Sequence, residues 1–322
     1  MTEHRISPDP RLDSEDDEVR RIALLELADL EDADHLPRLT AALLHDPSAA
    51  VRAAAARVLE GWDEADVVDA LSQALLDADA GVRAAAAQSL SELKSAEAAA
   101  RLLPWAEHET AFVRGAALRG LKEARLPAAA PAARRSLAHA DAAVRREAVG
   151  VLGWLKQAEA LPDIARLATG DPEAEVRRAA TGALGLAEDH SVAAVLPALL
   201  QALADPAWPV REEAATTLAK LRPPDALPAL LTAMQDDYWQ VRLRAARALG
   251  RLKNPEAIET LVSALAHPAG NLRKEAAIAL GEIGHPASEP ALRVAAGDPD
   301  PEVRKAVRLA LSRIGERAGA AP

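Results

Sequence analysis

The dipeptide Val-Arg returns along the whole chain at almost constant spacing. It stands at Val19-Arg20, Val51-Arg52, Val82-Arg83, Val113-Arg114, Val144-Arg145, Val176-Arg177, Val210-Arg211, Val241-Arg242 and Val303-Arg304, with Leu272-Arg273 as the variant. Most intervals are 31 residues, and the longest, 34, precedes Val210. A period of this length marks stacked supersecondary units, none of which buries its apolar face alone. Such an array grows along one axis, so 322 residues need not divide into separate globular cores. The period is also a ruler, because each position can be compared with its equivalents in the other units.

Each unit reads as two helices. Leu39, Leu43 and Leu44 share one helical face, and Val51, Ala55, Val58 and Leu59 recur at 3.6-residue spacing just after them. Between the two runs, Asp46-Pro47 is expected to open the second helix, with Asp46 as N-cap and Pro47 at its first position. The same grammar returns at 160–186, 226–252 and 257–283. Trp105 falls within a first helix, and Gly153, Gly185, Gly250 and Gly281 fall near the ends of second helices, where helices cross closely. The first unit has only its second helix and reads as a cap. The expected organisation is a tail over 1–12, a single solenoid over 13–315 and a tail over 316–322.

Half of the residues are apolar but only 2% are aromatic, so Ala, Leu and Val must fill the interior. Cysteine is absent, which excludes disulfides, thiolate metal sites and thiol nucleophiles. A net charge of −11 disfavours nonspecific attraction to a phosphate backbone, so a nucleic-acid partner is not expected. No apolar run reaches membrane-spanning length, and the polar start MTEHRISPDPRLDSEDDE has no signal-type core. The expected location is the cytoplasm, and the expected state a monomer. No phosphate loop, nucleophile elbow or His-x-x-x-His helix is present, so no catalytic residue, metal or cofactor is expected.

The pattern Asp-Pro-x-x-x-Val-Arg-x-x-Ala-Ala-x-x-Leu-Gly, followed over about residues 14–315, resembles the HEAT-like repeat family, in particular its short bacterial, phycobilin-lyase type. The resemblance implies an all-α, right-handed solenoid of about ten two-helix repeats, with second helices lining a concave face. It also implies an Asp–Arg ladder between neighbouring repeats. The matching carboxylates are Asp46, Asp77, Asp171, Asp205, Asp236 and Asp298, and the arginines include Arg52, Arg83, Arg177, Arg211, Arg242 and Arg304. Planar, two-pronged bonding to carboxylate explains why Lys never replaces Arg there. In three units the Asp becomes His108, His139 or His267. His108 and His139 would stand one repeat apart, at ~10 Å, too far to share a metal, so a capping or carbonyl-bonding role is expected.

The aromatics suggest where a partner binds. Trp208 and Trp239 share a phase at the start of consecutive second helices, and with Tyr238 they are the expected anchors. Trp154 occupies a phase held elsewhere by polar or small residues, so it too is expected to meet a partner. Arg211, Glu212, Arg244 and Arg247 are the expected surrounding contacts. Trp62 reads as core. Residues following each Arg are small in early units (Ala53-Ala54, Ala84-Ala85, Gly115-Ala116) and charged later, from Arg146-Glu147 onward. The function expected is a non-catalytic scaffold or adaptor binding a protein or peptide on its concave face. The alternative is an accessory, lyase-like factor that helps attach or insert a cofactor in a partner. Family members that act as di-iron hydroxylases need several His-Glu pairs, and this chain has His108-Glu109 alone. Members that act as DNA glycosylases have a basic concave strip, which the acidic balance disfavours.

Overall fold

The computed structural model describes residues 9–319. Among them there are nineteen α-helices and no strand, so the chain is an all-α solenoid of paired helices. It divides between Leu155 and Lys156 into two compact units. In the first, the helices Asp17–Ala28, Ala49–Val58, Ala80–Ser91, Ala111–Glu123 and Ala142–Trp154 pack successively against one another. The helices Leu36–His45, Ala65–Ala74, Ala96–Ala100 and Ala130–Ser136 form a second layer on them. In the second unit, Ala174–Leu184, Trp208–Leu221, Trp239–Leu252, Gly270–Ile283 and Pro301–Gly319 form the layer of second helices. Leu161–Gly170, Val192–Ala202, Leu227–Ala233, Ile258–Ala264 and Glu289–Ala295 back them.

Helices of this length are marginal alone, so packing between layers supplies their stability. The Val of the recurring dipeptide is buried in every repeat except the first, where Val19 in the cap is half-exposed. Each such burial contributes roughly 1.5–3 kcal/mol of apolar transfer. Around it the contacts are made mainly by Ala and Leu, for example Ala55, Ala86, Ala117 and Leu118, all with no exposed surface. Small side chains let the helices close up. A Cβ added at Gly250 would lie 2.7 Å from the Ala279 Cα, and one added at Gly281 would lie 2.7 Å from the Ala310 Cα. Backbone meets backbone there, and only glycine fits.

Four local features differ from the sequence reading. Asp46 is not an N-cap. It closes the first helix, and the second begins at Ala49 after Ser48. The Asp46 carboxylate instead accepts the Ser48 N–H at 2.8 Å, holding the turn two residues earlier. Trp105 lies in a 3₁₀ turn, Trp105–Glu107, because Pro104 lacks the N–H that would continue the helix. Of the expected N-terminal tail, 1–8 lie outside the described residues, whereas Pro10–Asp13 form a 3₁₀ turn capped by Asp9. Of the C-terminal tail, 320–322 lie outside them, and the last helix continues to Gly319.

Candidate interaction surface

The recurring arginines are engaged in the scaffold. Arg52 Nε and a terminal nitrogen donate to the two Asp77 oxygens at 2.7 and 2.9 Å, while its other terminal nitrogen donates to the Asp46 carbonyl at 2.8 Å. The same fork joins Arg20 to Asp46, Arg177 to Asp205, Arg211 to Asp236 and Arg273 to Asp298. Each arginine therefore binds the turn of its own repeat and the carboxylate of the next. Burial pushes the Asp205 carboxyl up, but hydrogen bonds from Arg177 and the Ala207 N–H outweigh it and hold the group below the usual carboxylate range. Asp46 and Asp236 show the same balance, and in Asp77 the arginine hydrogen bond is the largest influence.

Not every expected ladder member has a carboxylate partner. Among the described residues, Arg83 and Arg304 hydrogen-bond only the carbonyls of their own turns, at Asp77 and Ala78 and at Asp298 and Pro299. Arg242 meets His267 at 2.9 Å, and its buried Nε has no partner among the described residues. Asp171 holds its turn by accepting the Glu173 N–H. Arg20 and Arg273, which were not among the expected ladder members, do form the fork.

The three histidines perform half of the aspartate's task. Nδ1 of His108, His139 and His267 accepts the N–H two residues later, at 3.0–3.1 Å, as Asp46 does. An imidazole accepting at Nδ1 carries its proton on Nε2, so it offers the approaching Arg242 a donor instead of an anion. Burial, and then Arg242, push the His267 pKa down. Among the described residues no group of His, Asp and Glu is arranged to hold a metal, and no helix is long and apolar enough to cross a membrane.

The residues expected to meet a partner are not all brought together. In the second unit, Trp208 is half-buried and stacks on Tyr238 of the next repeat, with centroids 5.4 Å apart and planes at 18°. The two tryptophans of shared phase therefore do not form the pair. Tyr238 and Trp239 are 45% and 37% exposed. The Arg211 guanidinium lies 5.7 Å from the Tyr238 ring centre while bonded to Asp236, so Arg211 supports the ring from within the ladder. Glu212 accepts from Arg244 at 3.0 Å, and Arg247 grips Glu275 through two bonds of 2.8 Å. These charged residues tie successive second helices to one another. Trp154 belongs to the first unit, 52% exposed, with the Arg125 guanidinium 4.6 Å over its ring. Trp62 is half-buried.

Two acidic side chains were missed as special by sequence reasoning. Glu147, buried among the second helices of the first unit, lies 3.4–3.6 Å from Arg146, Arg119 and Lys122. Glu213 rests over Gly182 of the preceding repeat, where an added Cβ would come within 2.8 Å of its carboxylate. Burial pushes the Glu213 carboxyl up, an effect that nearby Arg178 opposes only in part.

Comparison with known proteins sorts this architecture. The HEAT-repeat family matches over residues 36–122, 101–185, 196–278 and 258–322. No curated protein sequence matches the chain significantly. Among solved structures, an engineered protein is similar at 22% identity and a TM-score of 0.53, covering 94% of this chain and 97% of its own. Kap95p, studied with RanGDP, is similar at 16% identity and a TM-score of 0.66, covering 93% of this chain. This chain spans 49% of Kap95p. The complex of Kap95 with Nup1 gives a TM-score of 0.64 at 16% identity, over 95% of this chain and 50% of Kap95. Identities this low establish the fold alone. With repeats matched from residue 36 to residue 322, the chain belongs to the HEAT-repeat family.

Proposed function

We propose that the chain is a non-catalytic scaffold that holds a protein or peptide partner, with Tyr238 and Trp239 as its anchors. The observation that carries this reading is the exposure of two adjacent aromatics on a turn immobilised by the Arg211–Asp236 fork. Exposed rings on a pre-ordered backbone offer large contact area at low ordering cost, the usual character of a binding hot spot. Trp208 acts from beneath, as the face on which Tyr238 stacks. Arg244 and Glu212, partly exposed on the same layer, supply polar contacts around the anchors. The HEAT architecture supports the reading, since similarly folded Kap95p is seen with RanGDP and with Nup1.

The test is capture from the native host followed by mass spectrometry, comparing the wild type with Tyr238→Ala/Trp239→Ala. A specific partner should be lost with the double variant while far-ultraviolet circular dichroism stays helical. An unchanged partner set with intact helicity rejects these anchors. Conversion of a bound small molecule by the purified chain rejects the scaffold reading itself.

A further inference from the structure

At the opposite ends of the second helices, the second unit has a groove of about 630 Å³. Five cations line it: Lys220, Arg222, Arg251, Lys253 and Arg313. All five are exposed, and none makes a side-chain hydrogen bond or ion pair among the described residues. The carboxylates of the lining are Glu282 and Glu316, and Glu316 accepts from Ser312 at 2.9 Å. One cation at a helix C-terminus is explained by the helix dipole, to the extent of about 0.3–1 kcal/mol. Five around one groove repel each other, and two carboxylates do not balance them. This happens in a chain whose net charge is −11.

The ruler orders the charges. Lys220, Arg251, Glu282 and Arg313 stand ten residues after the Val or Leu of successive repeats, and Arg222 and Lys253 stand twelve after. Cationic positions therefore recur once per repeat, interrupted once by Glu282. Neighbouring helices are ~8–10 Å apart, whereas an extended peptide advances ~3.3 Å per residue. Three residues of peptide therefore match one repeat.

We propose that this groove binds an acidic peptide in extended form, with carboxylates at its first, fourth and tenth positions and a basic or neutral residue at the seventh. The carboxylates lie against Lys220/Arg222, Arg251/Lys253 and Arg313, and the seventh residue lies against Glu282. A nucleic-acid strand fits less well, because one of its evenly spaced phosphates would meet Glu282. The proposal rests on reading the chain as a scaffold for a protein partner, but it does not depend on the aromatic anchors.

The experiment is fluorescence anisotropy with a labelled ten-residue peptide carrying glutamate at the first, fourth and tenth positions, lysine at the seventh and Gly, Ser or Ala elsewhere. The full chain should bind it saturably. Lys220→Glu/Arg251→Glu should weaken binding at least about tenfold, as expected for reversing complementary charges. Arg308→Glu, an exposed reversal outside the groove, should leave binding unchanged, with circular dichroism confirming the fold of all variants. Tyr238→Ala/Trp239→Ala should also leave it unchanged. Loss in that aromatic variant alone would place the peptide on the anchors and overturn the groove. Absence of binding, equal binding of a charge-permuted peptide, equal loss in Arg308→Glu, or tighter binding of a ten-nucleotide single strand would each overturn the proposal.

Discussion

The two units follow one sequence ruler but use it differently. In residues 9–155 the forked ladder joins Arg20 to Asp46 and Arg52 to Asp77, after which Arg83 and Arg114 bond backbone carbonyls and, among the described residues, no carboxylate. The next repeats offer His108 and His139 at the carboxylate position. In residues 156–319 the fork joins Arg177, Arg211 and Arg273 to Asp205, Asp236 and Asp298, with a mismatch at His267. The far ends of the second helices differ as well. Ten and twelve residues after the Val, the first unit places Asp29, Glu31, Asp63, Glu92 and Glu123 among Lys94 and Arg125, whereas the second places Lys220, Arg222, Arg251, Lys253 and Arg313 among Glu188 and Glu282. A phase that keeps its residue through both units maintains the stack. A phase that reverses its charge between them serves something one unit does and the other does not.

The strongest way to break this comparison is at the ladder. Asp205→Ala leaves the buried Arg177 fork without its anion and removes the acceptor for the Ala207 N–H. It should cost about 3–5 kcal/mol in urea unfolding. His108→Ala in the first unit should cost only about 1 kcal/mol, from the lost turn bond. Equal losses would show that the forks do not distinguish the units. Next in size, His267→Asp should repair the second unit's mismatch by giving Arg242 a carboxylate. The gain should be about 1.5 kcal/mol at pH 7, read from the same unfolding curves. No gain there would mean that Arg242 is satisfied as it stands.

Acid separates two kinds of carboxylate by sign. The ladder aspartates are held below their ordinary values, so their stabilisation is complete above the unfolded carboxylate pKa. It is lost as pH falls through their lower folded values. Glu213 runs the other way. Its raised folded value means that its ionised form disfavours the native state once pH exceeds the unfolded pKa. Glu213→Gln should therefore stabilise the chain at pH 7, by up to about 1 kcal/mol, and give no advantage at pH 3. A larger gain at pH 3 than at pH 7 would contradict burial as the cause.

The helix pairs and the half-unit cap were legible because period and apolar spacing are properties of the chain itself. The ladder was legible in outline, since Asp and Arg recur in phase, but not where it fails. A histidine that keeps the turn bond and loses the anion looks, in sequence, merely like another cap. The aromatic cluster was found by composition, yet its pairing was not, because Trp208 meets the residue before Trp239 rather than Trp239. Glu147, Glu213 and the groove cations were overlooked for one reason. Each reads singly as an ordinary surface charge, and only packing of neighbouring helices gathers them.

The ladder also has a direction. Each forked arginine reaches forward to the next repeat, and the aspartate it grips answers the repeat before it. A tract one period long, wherever its ends are cut, carries one plug and one socket. Copying or excising such a tract rejoins a matching plug and socket without new invention. Arg304 holds its own turn's carbonyls in the same way, through Asp298 and Pro299. An array built this way changes length by whole periods more easily than by parts of one.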